Sequence, residues 1–412
     1  MPQGVTSIMQ SGISSSATGQ IQRADKPSRL TIVDGLRGYA LFGLFTVHMA
    51  EMFELYWANP VPSHVHDLVF AFFSGKAFSL LAICFGFSFF IMIDGARRRG
   101  QPFALRFAWR LTVLLAIGLA HSALYRGDII VVLAVAGFFL IPFDYVRSRT
   151  LLVVLAAIFL AQPFLLIRIV AAMQGTGWAL ADPLYYQDHA MEPSLHGGVW
   201  DVILANLGPA QINKWSYYVE TGRLSQVFGL FLLGLVLGRA RFFAELDRFR
   251  RGRAVMLALA LIAIPFLQVA KTGTDDWHGP MFWTHLLVSG WLDLAVMAAS
   301  VLVFILLWEA GLDRWLARLV PAGRMTLTLY IGQAMLFVPF FYGFGLHMYD
   351  RLSQIQCLLL AVAGFAVQLA FATWWFRHFL YGPLEWVWRA ATKLSLDVPF
   401  RRSPDALKGA TL

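Results

Sequence analysis

Charge is scarce in this chain. Asp, Glu, Lys and Arg make up 14% of its 412 residues, against ~25% in soluble domains. Cysteine is scarcer still: Cys84 and Cys357 are the only two, and both lie in apolar stretches. That excludes a disulfide framework and a CxxC metal site, and both thiols read as small buried hydrophobes. The first residues, Met1 to Arg29, hold no apolar run and so do not read as a cleavable signal peptide. No internal repeat stands out.

Apolar residues are abundant: 58% of the chain is hydrophobic, while soluble domains reach ~45–50% on a closely similar count. This excludes a water-soluble enzyme, a disordered protein and a fibrous repeat. It implies an all-α, polytopic helix bundle with the lipid bilayer as its surroundings. Windows of ~20 apolar residues are needed to cross the hydrocarbon. Ten candidates follow along the chain: 36–57, 68–93, 105–124, 129–143, 151–173, 224–243, 255–270, 286–307, 325–346 and 355–376.

The net charge of +9 reads as topology, not as a nucleic-acid partner. With the N-terminus placed in the cytoplasm, the basic clusters all fall inside. They are Arg23 to Arg37, Arg97 to Arg110, Arg147 and Arg149, Arg239 to Arg253, Arg314 to Arg324, and Arg377 to Lys408. The outside or the spans receive only Lys76, Arg126, Arg168, Lys214, Arg223, Lys271 and Arg351. This bias predicts an even number of spans, about ten, with both termini cytoplasmic. Residues 1–30 are expected to be a disordered cytoplasmic tail, 31–394 the bundle, and 395–412 a disordered basic tail. Residues 174–223 form a long external loop rich in Trp, Tyr and His, either interfacial anchors or a lid over a substrate. Residues 380–394 predict a helix on the inner interface, with Pro383 at its start and Glu385 paired to Arg389.

Ionisable residues inside spans are costly and therefore functional candidates. The first span carries Asp34 and Arg37 one turn apart, then His48 and Glu51. His48 lies eleven residues beyond Arg37, or ~16 Å along a helix, near mid-membrane. A neutral imidazole there suits a proton shuttle or general base; a structural histidine bonded between helices is the plainer alternative. His121 ends the third span and is open to acceptor-side catalysis or helix packing. Arg126-Gly127-Asp128 then makes a tight turn in which Asp128 caps the next helix. Lys76 and Asp293 lie at similar depth and are expected to pair. Arg110 either belongs to the basic inner face or reaches in to hold phosphates. Arg324, Thr326, Thr328, Tyr330 and Gln333 line the same cavity or join helices.

The spacing DGLRG, then His48, resembles the first helix of the transmembrane acyltransferase superfamily. Its members include the acyltransferase family three O-acetylases and the lysosomal heparan-α-glucosaminide N-acetyltransferase. The O-acetylases require an Arg and a His that match Arg37 and His48; the lysosomal enzyme has Asn in place of His48. The rest of the chain looks most like the YeiB-like bacterial membrane proteins, through FSLLAICFGFSF, GLAHSALYRGDII, LFLLGLVLGR, GRMTLTLYIGQ, YGFGL and YGPLEWVWR. YeiB-like members commonly carry Asn where this chain has His48.

The resemblance implies a membrane acyltransferase. Cytoplasmic acyl-CoA, with acetyl-CoA as the expected co-substrate, would set its phosphates near Arg37 and Arg110. A hydroxyl or amine of an extracytoplasmic saccharide or other small acceptor would take the acyl group. His48 would be general base or acyl carrier, with His121 on the acceptor side. The competing classes are a proton-coupled transporter and a non-catalytic membrane protein of an envelope pathway. Transporters show Gly/Pro-broken helices in corresponding places, and the sequence displays no such pairing.

Overall fold

Each apolar window folds as helix because its polar backbone groups must be satisfied within the segment. The computed structural model describes residues 31–274 and 279–402, and every regular element among them is helical apart from one isolated bridge. The expected tail over 1–30 and residues 403–412 lie outside the described residues.

The first helix is α1 (Thr31–Ala50). A bend separates α2 (His64–Phe72) from α3 (Lys76–Arg98). Next come α4 (Ala104–Leu124) and the short α5 (Ile130–Leu140), then α6 (Arg149–Leu160) and α7 (Pro163–Met173). Four short helices follow: α8 (Gly177–Leu180), α9 (Met191–His196), α10 (Val199–Leu207) and α11 (Pro209–Glu220). The long α12 (Arg223–Arg239), α13 (Arg250–Thr272) and α14 (Gly279–Leu307) come next. Small α15 (Asp313–Leu316) and α16 (Val320–Arg324) lead to α17 (Thr326–Phe341), α18 (Gln354–His378) and α19 (Pro383–Lys393).

Five helical stretches are long and apolar enough to cross a membrane: 64–98, 104–124, 246–272, 279–324 and 354–378. Counting each of two bent pairs as one span makes seven. The pairs are α6–α7, bent by 42°, and α11–α12, bent by 67°. The first bend has a clear cause: Gln162 sits in the left-handed region at φ 58°, and Pro163 removes a backbone donor. At the second, Gly222 has φ 68°, a conformation glycine adopts without steric cost. The remaining windows fall on α1 and on the shorter apolar helices at 130–144 and 326–341. The two bends lie side by side: a Cβ on Gly222 would press on the Gln162 side chain.

Helix α1 is the hub. It is buried over most of its length and packs on α3, α14, α16, α17 and α18. The contact with α16 is close because glycines meet backbone: a Cβ on Gly38 would strike the Leu319 carbonyl, and one on Gly323 the Asp34 carbonyl. Helices α3 and α12 cross the same way through Gly86 and Gly234, the small-residue packing that brings helices together in lipid. By contrast α13 leans on α14 and leaves most of its apolar surface exposed.

The 174–223 segment is helical, not a plain loop, and it is docked. Trp283 is 2% exposed and donates to the Ala179 carbonyl at 2.8 Å. The Arg168 guanidinium lies 3.4 Å from the Trp283 ring centroid. At the chain's other end, residues 395–402 do not form a disordered tail. Phe379 and Arg401 form an antiparallel bridge, Val398 is buried, and Phe400 packs among Trp375, Phe379 and Trp386.

Candidate functional site

At the end of α1 the chain reverses over His48. Met52, Phe53 and Glu54 all take positive φ, at 50°, 52° and 79°. Each such residue costs ~1–2 kcal/mol outside glycine, so the surroundings must hold the turn in place. They do: Phe53 N donates to the His48 carbonyl at 2.7 Å, and the Tyr342 hydroxyl donates to the Phe53 carbonyl at 3.1 Å. Phe53 is thereby laid beside the His48 ring, centroids 5.4 Å apart, and is itself fully buried.

Helices α4 and α5 bring the second histidine. His121 Nδ1 lies 2.7 Å from Asp128 Oδ1, with the two side chains 1% and 0% exposed. The other carboxylate oxygen, Oδ2, accepts from Val131 N at 2.8 Å and caps α5. One aspartate thus ends a turn and orients a histidine. With Asp128 ionised, Nδ1 carries the proton, and Nε2 is left as the basic nitrogen. That Nε2 is buried without a hydrogen-bond partner.

The two histidines share their neighbours. Tyr125 lies 5.3 Å from His48 and 6.0 Å from His121; Tyr330 lies 6.0 Å and 5.1 Å from them. His48, 5% exposed, therefore stands in one aromatic enclosure with the His121–Asp128 pair. Glu51 is on the adjoining turn, its Oε1 accepting from Trp57 Nε1 at 3.2 Å. Arg126 ties the enclosure to the outer segment, reaching Glu54 Oε2 at 3.3 Å and Asp188 Oδ2 at 2.7 Å. Lys214, from α11, feels the charges of Asp128 and Glu54, and its buried Nζ has no hydrogen-bond partner. Among the described residues no group of three or more His, Cys, Asp or Glu is placed to hold a metal ion.

The other sequence candidates lie elsewhere. Asp34 and Arg37 pair at 3.1 Å at the far end of α1, and Arg37 also donates to the Ser88 hydroxyl. Arg110 stacks on Trp388 of α19 at 3.6 Å. Lys76 and Asp293 are 2.7 Å apart, as their shared depth suggested, and Arg223 joins them at 3.6 Å. Gln333 Nε2 donates to Gln368 Oε1 at 2.9 Å, joining α17 to α18. Of the polar start of α17, Tyr330 is the residue that meets the histidines. Thr328 binds Glu385, whose Oε1 also accepts from the amides of Leu327 and Thr328. Glu385 therefore caps α17, while Arg389, its expected i,i+4 partner, lies over the Tyr381 ring.

Tyr125, Phe53, Glu54 and Lys214 were missed as site residues in the sequence. Tyr125 sits inside the GLAHSALYRGDII block and four residues beyond His121, a spacing that brings it near that ring. Lys214 had a weaker signal, a lone lysine in an apolar-aromatic stretch. The left-handed turn at 52–54 had none, since glycine, asparagine and aspartate are the usual residues there.

Residues 237–395 match the family described as Protein of unknown function (DUF418). The chain is 26% identical over 393 residues to "Uncharacterized protein YxaH" of Bacillus subtilis (strain 168), covering 89% of this chain and 95% of that protein. It is 24% identical over 382 residues to "Uncharacterized 39.9 kDa protein in amylase 3'region" of Bacillus acidopullulyticus, covering 88% and 94%. It is also 26% identical over 391 residues to "Uncharacterized protein YeiB" of Escherichia coli (strain K12), covering 88% and 96%. Together with the motifs along the chain, these matches support a YeiB-like family of bacterial proteins for it.

Proposed function

We propose that the protein is an acyltransferase of the bacterial cytoplasmic membrane, related to the transmembrane acyltransferase superfamily. In this reading about ten helices cross the bilayer, both termini are cytoplasmic, and the donor is acyl-CoA, with acetyl-CoA the expected form. The observation that carries it is the buried His121–Asp128 pair, whose Nε2 is unpartnered and whose ring shares its aromatic neighbours Tyr125 and Tyr330 with His48.

The sequence left open whether His48 is general base or acyl carrier, and whether His121 reacts or packs. The aspartate favours His121 for the acceptor, because an oriented imidazole with one free basic nitrogen is what general-base catalysis needs. His121 Nε2 takes the proton of the acceptor hydroxyl or amine as that atom bonds to the acyl carbon. The C–S bond of the thioester breaks, and the proton taken by His121 passes on to the thiolate sulfur of the departing coenzyme A. His48, on the helix that runs back to Arg37 and the basic face, is the group for that second transfer or for carrying the acyl group between the two sides. The acceptor is a saccharide or another small envelope molecule.

Purified protein in nanodiscs, given labelled acetyl-CoA and an envelope extract, tests the reading. Label on the protein or in the extract is expected; its absence from both would overturn it.

A second reading, proton-coupled transport, is favoured by one feature. The bends of α6–α7 and α11–α12 adjoin, and Gln226 Nε2 donates to the Gly290 carbonyl at 2.9 Å beside the Lys76–Asp293–Arg223 charges. Broken helices next to embedded charges are how many transporters build a binding site. Substrate-dependent proton movement in proteoliposomes, without label transfer, would establish that reading instead.

A further inference from the structure

The cytoplasmic-facing arginines of the reading above are not all equivalent. Arg37 already has Asp34 and Ser88, and Arg110 has the Trp388 ring. A different set surrounds open space. The ends of α3 and α12, the start of α6 and the segment after α5 line an open surface cavity of about 240 Å³, with Arg97, Arg147, Arg149 and Arg239 on its walls and Asp144 and Phe90 among the others. One water needs only ~10–15 Å³ on such a measure, so the space is large enough for a polyatomic group.

Backbone carbonyls hold the guanidiniums of Arg239 and Arg149. Arg239 donates to the carbonyls of Phe143, at 3.0 Å, and Val146. Arg149 donates to the Arg239 carbonyl at 2.9 Å. Arg97 takes the one lining carboxylate, Asp144, at 2.5 Å. Carbonyls fix geometry but cancel no charge, and Arg239 feels the repulsion of both Arg97 and Arg149. Four cations around a cavity with one anion are therefore short of negative charge. Planar guanidiniums match phosphate oxygens in pairs. Helix α6 also opens there, with Arg149 as its first residue, and its dipole adds to the attraction for an anion.

We propose that Arg97, Arg147, Arg149 and Arg239 form a binding site for the phosphate groups of a ligand at the membrane surface. Two ligands supply that chemistry there: coenzyme A, which as a source rests on the acyl-transfer reading, and the headgroup of an anionic phospholipid, which does not.

The test uses the full chain in nanodiscs. In phosphatidylcholine alone, coenzyme A is titrated and its binding measured directly. In phosphatidylcholine doped with phosphatidic acid, retained lipid is read by native mass spectrometry. Binding of at least one probe is expected, weakened about tenfold or more by Arg147→Gln/Arg149→Gln, as loss of ~1.4 kcal/mol or more from charge-assisted hydrogen bonds implies. Arg250→Gln/Arg251→Gln, which removes exposed arginines outside the cavity, should leave binding unchanged. Should the first variant lose its fold, Arg147→Lys/Arg149→Lys keeps the charge, and weaker binding is still expected through loss of the paired geometry. Binding of coenzyme A identifies the donor's phosphates. Binding of lipid alone supports the site and leaves acyl transfer to its own label assay. Binding of neither probe, or equal weakening by both glutamine variants, overturns the site.

Discussion

His121 illustrates how one residue gains a role from its partner. Alone on an apolar helix it could equally pack or react. With Asp128 at 2.7 Å and Nε2 unpartnered, it has the orientation of a base. Asp128→Asn keeps the shape of the turn but reverses or weakens the tautomer preference, so transfer is expected to fall by roughly 10²–10⁴, the usual contribution of a general base. Initial-rate measurement of label transfer checks this, with the melting temperature as the control for folding. An unchanged rate would leave Asp128 with its capping role alone. At this scale the sequence was informative where residues lie close along the chain: His121, Asp128 and the turn between them could be read together. It was uninformative where distant segments meet. Nothing in the spacing of Phe53 or Lys214 reveals that the 52–54 turn meets the His48 ring or that α11 brings a lysine within reach of the Asp128 and Glu54 charges.

Among the elements, helix boundaries and glycine crossings carry the structure. Gly323→Ala would press a methyl group onto the Asp34 carbonyl in the α1–α16 contact, and overpacking of this kind costs ~1–3 kcal/mol. A lowered thermal unfolding midpoint in detergent is expected, and an unchanged midpoint would mean that the two helices separate easily. Glu385 gives a second element-scale test. Burial, outweighing its hydrogen bonds to Thr328 and Leu327, raises its carboxyl above the ordinary Glu range. The folded state therefore favours the protonated form. This stabilisation is complete below the unfolded value and is lost as pH rises through the raised folded value. Glu385→Gln should flatten that part of the profile of melting temperature against pH; an identical profile would remove Glu385 as its source. The sequence placed the α19 helix correctly but paired Glu385 with Arg389, because local i,i+4 spacing cannot show that a neighbouring helix start needs an acceptor. The break at Gln162 was hidden for a similar reason. An apolar window of the right length reads as continuous whether or not the helix bends within it.

For the whole molecule, composition sufficed to specify an all-helical bundle for the bilayer, and five to seven helices meet the length and apolarity that crossing requires. The central α1 is not among them. It lies inside the protein, where packing replaces the hydropathy that lipid contact demands. The proposed orientation predicts that single cysteines introduced at Arg98 and Arg250 react with impermeant reagent only from the cytoplasmic side, and one at Trp200 only from the outside. Labelling from the reverse sides would invert the topology and with it the assignment of donor and acceptor faces. The central claim is that the histidine enclosure is the reactive centre. The most direct measurement is label transfer from acetyl-CoA by wild type and His48→Ala, in nanodiscs of the same composition and with matched melting temperatures. The account predicts transfer by the wild type and none above background by the variant; transfer at the wild-type rate by His48→Ala would contradict it.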